Sequence, residues 1–438
     1  MKKLFRNLLL VLLTAGFAVS CQSGDPLVNE AKDAISERNY QGALAATEQA
    51  LAQNPSNVAA LYYKAQAHAE IARQIPEVDA RPSDYTKMRG AVETIYSISD
   101  TLAEEPAELK LSQDMTINTW AFELNSAVNI VNSDSIMNAD PDAITRAVAH
   151  LENAAIVNPD SVLTFDIMSQ VHYMNNDLAS AIEASKKSMS MQDTPAAMDY
   201  NRLAAYYMMQ PDYESAITVL EESMETYADS VYLVQKLADS YTAVGEIAKA
   251  TEAIQNLIDD EPNNPQYRLA LGTQLYKATD DPNTQLTENY DKLYDLRDER
   301  KSASSSERSN IDKQIADLEA QNDELLAAIN SYTEQAVEQL QKAAELDPQN
   351  ITAVSTLGII YQNNAATYFE LRNNTLDNEE SNKYDEMAKQ ELRKAVEYYE
   401  KTVELDPDDT ETWAALGRAY LTLDMKEKAE AAMEKAGM

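Results

Sequence analysis

The chain has 438 residues, with 73 Asp and Glu against 36 Lys and Arg and a formal charge of −37 at pH 7. So large an acidic excess excludes nucleic acid as a partner, because phosphate binding needs clustered Lys and Arg. The excess is read either as a solvated face that keeps the chain soluble, or as the mark of a salt-loving host, where repulsion is screened within about 3 Å at 1 M salt. Sparse Gly and Pro (9 and 14 residues), and no alternating β-rich stretch, exclude an all-β fold and leave an all-α one.

Residues 1–20 read as an address. Met1, Lys2, Lys3 and Arg6 form a positive leader, residues 8–19 a short apolar run, and Ala18-Val19-Ser20-Cys21 follows. The run is too short for an ordinary membrane span of about 20 residues, and it sits where a secretory signal would. Cys21 is the single cysteine, so no internal disulfide framework is possible. This end resembles a bacterial lipobox, although Ala18 stands where that motif most often has Leu. The resemblance implies a lipoprotein signal peptide over 1–20, lipidation of Cys21, and a tether over 21–26. Gln22 in place of Asp after the cysteine implies sorting to the outer membrane, with the periplasmic face preferred over the cell surface.

Beyond the tether one pattern recurs. It is plainest at 410–438, where Trp413, Leu416, Gly417 and Tyr420 are spaced W-x2-L-G-x2-Y and Ala429 and Ala436 follow. This spacing resembles the tetratricopeptide repeat. The resemblance implies an all-α helical solenoid of paired helices, each pair burying its apolar face only by stacking on the next. It also implies a concave peptide-binding surface, and a small residue in the second helix where the two helices of a pair cross. In chain order that slot is filled by Ala43, Ala91, Ala147, Ala181, Ala216, Ala250, Ala336, Ala395 and Ala429, which gives about nine helix pairs. Pro55, Pro159, Pro262, Pro348 and Pro407 follow their slots. Pro cannot continue a helix, and Asp or Asn beside it can cap the next one. The first helices carry Leu203-Ala204, Leu237-Ala238, Leu271-Gly272, Leu357-Gly358 and Leu416-Gly417. Gly inside a helix costs about 1 kcal/mol relative to Ala, so its recurrence at one slot marks a close approach. The pattern is weak over 69–146, where residues 75–87, with Pro76 and Pro82, interrupt it.

Two insertions break the period. Ala336 follows Leu275 by 61 positions. Ile311, Ile315, Leu318, Asn322, Leu325, Ile329, Tyr332 and Ala336 alternate spacings of four and three, a heptad seam. Leu286, Tyr290, Leu293 and Arg297 repeat it upstream, and the serine-rich stretch 302–306 offers a turn. The spacing predicts an inserted antiparallel coiled-coil hairpin over 278–335, its seam satisfied between its own arms. Tyr290 is expected opposite Leu318, Leu293 opposite Ile315, Arg297 opposite Ile311 and Leu286 opposite Asn322. The polar span 362–394 is a smaller insertion. The organisation expected is an N-terminal and central solenoid over 27–277, the hairpin, and a C-terminal solenoid over 336–438.

No catalytic constellation is legible. The three histidines, His68, His150 and His172, have no metal-ligand spacing, and neither an HExxH, a phosphate loop nor a G-x-S-x-G elbow occurs. No enzymatic activity, cofactor or metal is expected. Binding falls to the first helices, whose ligand-facing positions, as the resemblance implies, hold Tyr173, Asn201, Arg202, Met208, Tyr232, Gln235, Lys236 and Asp239. Arg202 and Lys236 recur 34 residues apart, as cations that either meet an acidic peptide or pair with neighbouring acids. The carboxylate-clamp form of the repeat has Lys at its fifth position and Asn at its ninth. Here those positions read Asn201 and Ala205, or Gln235 and Asp239, so a receptor for C-terminal carboxylates is not expected.

These features read as a lipid-anchored scaffold or adaptor of the bacterial cell envelope. It is similar to lipoproteins of this family that help assemble outer-membrane or secretion machinery, and its partners are expected to be other envelope proteins or peptides. The alternative is a glycan- or cell-wall-associated binding protein serving nutrient uptake. Aromatic platforms along the groove would favour glycan, and a charged or Met-rich groove would favour peptide.

Overall fold

A computed structural model describes residues 24–375 and 377–438. Cys21 and the leader before it lie outside the described residues. The chain divides into two compact units, one ending at Gln210 and the other beginning at Pro211. Among the described residues every regular element is a helix.

In the first unit α1 (Pro26–Ser36) pairs with α2 (Tyr40–Gln53), and α3 (Val58–Gln74) with α4 (Pro82–Ser99). Next come α5 (Ala107–Asn132), the short α6 (Asp134–Ala139) and α7 (Ala143–Val157), with α5 packed on α7. Then α8 (Val162–Met174) pairs with α9 (Leu178–Ser190), and α10 (Ala197–Met209) packs on α9. In the second unit α11 (Tyr213–Tyr227) packs on α12 (Val231–Ala243), which pairs with α13 (Ile247–Asp260). α14 (Pro265–Lys277) is followed by α15 (Asp280–Ser302) and α16 (Ser305–Leu346), and it pairs with the C-terminal part of α16. Finally α17 (Ile351–Asn374) pairs with α18 (Asn378–Leu405), and α19 (Thr410–Thr422) with α20 (Lys426–Lys435). Of the nine pairs expected, eight close within a unit, while the two helices of the fifth, α10 and α11, belong to different units.

Local chemistry explains the repetition. The side chains of Asn57, Ser161, Asn350 and Asp409 each accept a backbone N–H from the first turn of the helix they precede, satisfying donors that the helix itself leaves orphaned. Between the helices of a pair the chain turns through the left-handed region, at φ 60° for Arg38, 57° for Asn176 and 60° for Asp424. The following N–H then reaches back to the first helix, from Asn39 to the Ala34 carbonyl (2.8 Å), Asp177 to His172 (2.9 Å) and Met425 to Tyr420 (2.8 Å), the bond that closes a helix C-terminus.

Packing then follows the small residues. All nine slot alanines are buried, none more than 6% exposed. Across from them stand the glycines: a Cβ at Gly272 would lie 2.6 Å from Leu340 Cγ, and one at Gly358 2.6 Å from Tyr399 Cδ1. In these two pairs the first helix therefore lies against the second at a distance only Gly allows.

In the long insertion α15 and α16 pack side by side, joined at Ala303 and Ser304. Arg300 meets Asp312, Arg297 meets Glu319 at 3.0 Å, and Asn289 meets Asn322 at 2.9 Å. The partners stand 12, 22 and 33 residues apart in sequence, more the farther they lie from the turn, so the arms run antiparallel. Leu286, Tyr290, Leu293 and Ile329 are buried between them, with Ile315, Leu318 and Leu325 alongside.

Two expectations are corrected here. The partner of Asn322 is Asn289, three positions along α15 from Leu286, because a buried amide seeks another hydrogen-bonding group rather than a methyl surface. The seam is also not closed by its own arms alone. Leu371 of α17 packs into it, and Arg297 donates to the Asn374 carbonyl at 3.1 Å. The lengthened α17 thus brings the second insertion onto the first.

Candidate functional site

First helices touch one another along each unit: α1 meets α3 and α3 meets α5 in the first, and α12 meets α14 and α14 meets α17 in the second, while Arg202 of α10 reaches Asp166 of α8. The positions expected from the sequence on a ligand-facing surface lie on α8, α10 and α12, and each unit spends them differently.

In the first unit most of those side chains are already engaged. Tyr173, on α8, is half-buried and stacks on Tyr206 of α10, with ring centroids 5.4 Å apart. Arg202, on α10, donates to Asp199 at 2.6 Å and also to Asp166 of α8. Burial pushes the Asp166 carboxyl above its ordinary value; Arg202 opposes this, but it is shared with Asp199, whose charge adds to the rise. Of the two cations expected in the layer, this one is therefore paired with neighbouring acids. Asn201 contacts the Met198 sulfur at 3.7 Å. Met208 is half-buried, while Met198 and Met209 are exposed on the same helix.

In the second unit more chemistry is left over. Tyr232 of α12 is 43% exposed, with Gln235 and Lys236 half-buried beside it. Lys236 makes no ion pair among the described residues. Asp239, by contrast, is held by Lys277 of α14 at 2.7 Å. Gln274 of α14 donates to the Ala238 carbonyl at 3.2 Å, and Asn363 of α17 donates to the Tyr276 hydroxyl at 2.6 Å. These bonds join α12, α14 and α17 into one layer.

One constellation was not anticipated. Glu123 of α5 is fully buried and accepts from Arg81 Nη1 at 2.9 Å and from the Tyr85 hydroxyl at 2.5 Å, while His150 Nδ1 of α7 lies 2.5 Å from its other oxygen. Burial alone would push this carboxyl up. The hydrogen bonds from His150 and Tyr85, with the charges of His150 and Arg81, outweigh burial and hold it below the usual glutamate value. Arg81 also donates to the Ile75 carbonyl at 2.9 Å, and Asn153 to the Val78 carbonyl at 2.9 Å. The cluster is buried throughout, Arg81 and His150 being 7% exposed and Glu123 and Tyr85 0%. It fastens the irregular 75–81 segment to α5 and α7. A sequence signal existed, since Glu123 is the one acid between Asp114 and Asp134 and sits in the apolar run Trp120-Ala121-Phe122-Glu123-Leu124. The other histidines are also placed: His68 Nδ1 lies 2.7 Å from Asp84, and His172 Nδ1 lies 3.6 Å from Asp177. Among the described residues no group of three His, Cys, Asp or Glu is arranged to hold a metal ion.

Family models described as tetratricopeptide repeat match residues 28–73, 207–274, 386–409 and 398–431. Among solved structures, the chain is similar to MamA at 17% identity, over 49% of this chain and 98% of that one, with a TM-score of 0.29. It is similar to YrrB, described as a TPR protein with an unusual peptide-binding site, at 14% identity, over 60% and 95% of the two chains, with a TM-score of 0.30. The C-terminal part of a TPR repeat-containing protein from Cytophaga hutchinsonii matches at 13% identity, over 75% and 98%, with a TM-score of 0.31. No curated protein matches the chain.

Proposed function

This chain belongs to the tetratricopeptide repeat family, and from that premise we propose that it is a lipid-anchored scaffold of the bacterial cell envelope. In this reading Cys21 carries the lipid and holds the chain at the outer membrane, on its periplasmic face. The first helices recruit envelope proteins or peptides in outer-membrane or secretion assembly. The coarser role, a scaffold for protein–protein interaction, follows from the repeats themselves. The observation that supports a binding role for these particular helices is the pairing of Tyr232 with Lys236. One is an exposed aromatic and the other a cation without an ion partner, one turn apart on α12. A recruiting surface needs polar and apolar groups that the fold does not itself use. The glycan-binding alternative is less well supported, because Tyr173 is taken up by its stack with Tyr206 and the one open aromatic among the expected positions, Tyr232, has a cation beside it, which favours peptide. The anchor rests on the sequence of residues 1–21. Among the described residues no helix is long and apolar enough to cross a membrane.

Two measurements test the reading. With a photo-crosslinking amino acid at Tyr232, and separately at the exposed Glu252 of α13, cells should yield a defined crosslinked partner from the first position only. Equal labelling from both would remove the binding role of the first helices. Cells fed an alkyne fatty acid should label the wild-type chain and not Cys21→Ser, which should leave the membrane fraction. Mature Cys21→Ser fully retained in the outer membrane would overturn the anchor.

A further inference from the structure

We infer that the first-helix layer of the second unit is selective for an acidic segment of a partner protein, one in which Asp or Glu alternates with apolar residues. This inference rests on the scaffold reading above and names the chemistry of what it binds. The first observation is a separation of charge within an acidic protein. The chain carries twice as many acids as bases, 73 against 36. Yet the first helices α12, α14, α17 and α19 hold five bases (Lys236, Arg268, Lys277, Arg372 and Arg418) and three acids (Asp239, Glu370 and Glu411). The second helices α11, α13, α16, α18 and α20 together hold 27 acids and 12 bases. The basic surplus on one layer is therefore not a sample of the chain's composition. A surface of this sign, set in a field that is negative elsewhere, attracts a short acidic ligand locally while the whole chain repels an extended polyanion.

The second observation is which charges the fold leaves open. Asp239, the acid nearest Lys236 in sequence, is neutralised by Lys277. Arg268 is spent on uncharged acceptors, the Gln339 side chain at 2.7 Å and the Pro262 carbonyl. Lys236 and the exposed Arg418 make no ion pair among the described residues. In the first unit the equivalent cation, Arg202, is consumed by Asp166 and Asp199, and the first helices α1, α3, α5, α8 and α10 hold eight acids against five bases, so the basic surplus belongs to the second unit.

The third observation places apolar surface beside each open cation. Tyr232, 43% exposed, is one turn from Lys236, and Leu421, 48% exposed, is one turn from Arg418. Ile359 of α17 is 43% exposed on the same layer. A ligand offering a carboxylate and a neighbouring apolar side chain meets complementary groups at both places. Exposed apolar side chains supply affinity, and the cations reject basic sequences.

The test uses the full chain and a random peptide library displayed on phage. Selected peptides should be enriched in Asp and Glu next to apolar residues. A synthetic copy of the best should lose at least tenfold in affinity for Lys236→Glu and for Arg418→Glu, and should keep it for Lys236→Arg. Unchanged circular dichroism of each variant shows that the loss is not unfolding. Selected peptides that are neutral or basic, or affinity indifferent to both charge reversals, would overturn the inference and leave the scaffold reading standing. Failure to select any peptide would count against both.

Discussion

The two units interrupt the same repeat and repair the interruption with opposite chemistry. In the first, residues 75–81 leave the helical pattern and are fastened by a buried carboxylate, Glu123, which gathers Arg81, Tyr85 and His150. In the second, the long insertion builds an apolar seam from Leu286, Tyr290, Leu293 and Ile329, with Leu371 of the neighbouring insertion added. The contrast follows from length. A segment of a few residues has too few apolar side chains to make a core, so it is held by directed hydrogen bonds. An insertion long enough for two helices buries its own methyl groups, and it needs polar groups only for register. The first device is strong but brittle, since each member depends on the charge of another. The second is additive and loses stability one side chain at a time.

The sharpest way to break this comparison is Glu123→Ala. It leaves the Arg81 guanidinium buried without its counter-ion and should cost about 3–5 kcal/mol. Amide exchange should speed up over 75–157 and stay unchanged in α15 and α16. An equal response in both places would refute the brittle–additive distinction. The same clamp should be acid-sensitive. Glu123 titrates lower in the fold than in the unfolded chain, so its contribution is complete above the ordinary value of 4.5 and drains away as pH falls through the lower folded value. Opening free energies measured by exchange should drop below about pH 4.5 over 75–157, ahead of the hairpin seam. Parallel loss in the two regions would mean that Glu123 is not the controlling group.

Leu293→Ala should cost about 2–5 kcal/mol. The effect should reach the Leu371 turn of α17 as well as α15 and α16, because all three share one cluster. If α17 keeps its protection, the two insertions are energetically separate. The smallest change is expected from replacing Asn289 and Asn322 together by Leu. Replacing both partners of a buried hydrogen bond with apolar groups is close to neutral, whereas the single change Asn322→Leu strands the Asn289 amide at about 1–3 kcal/mol. A double variant that is no more stable than the single one would show that the amides act separately, not as a pair.

What was legible in the sequence was what repeats. Ala43 through Ala429 could be found because five of the nine slots lie twelve residues before a Pro and the rest share the same local spacing, which survives in one dimension. The pairing of Arg202 with Asp166 was half visible: the two stand in adjacent first helices, 36 residues apart, but a chain so rich in acids offers many such coincidences. Glu123, Arg81, Tyr85 and His150 were not legible as a set. They come from three elements at unrelated spacings, and only folding brings them together. The partner of Asn322 was missed for a related reason. Counting apolar positions fixed the seam, but a pair of amides set the register.

The 42 residues of α16 run without a break from the hairpin turn to the slot where Ala336 and Leu340 lie under Gly272. At 1.5 Å per residue that is a rod of about 63 Å, and its sequence holds neither Gly nor Pro at which to bend. One end is solvent-exposed and the other is packed against α14, whose Lys277 holds Asp239 of α12. A load applied at the hairpin tip cannot be absorbed by a hinge along the way. It passes to the two places where the rod is held, the contact with Leu371 of α17 and the crossing under Gly272 of α14, so the lengthened α17 is a brace for α16 as well as a wall of its seam.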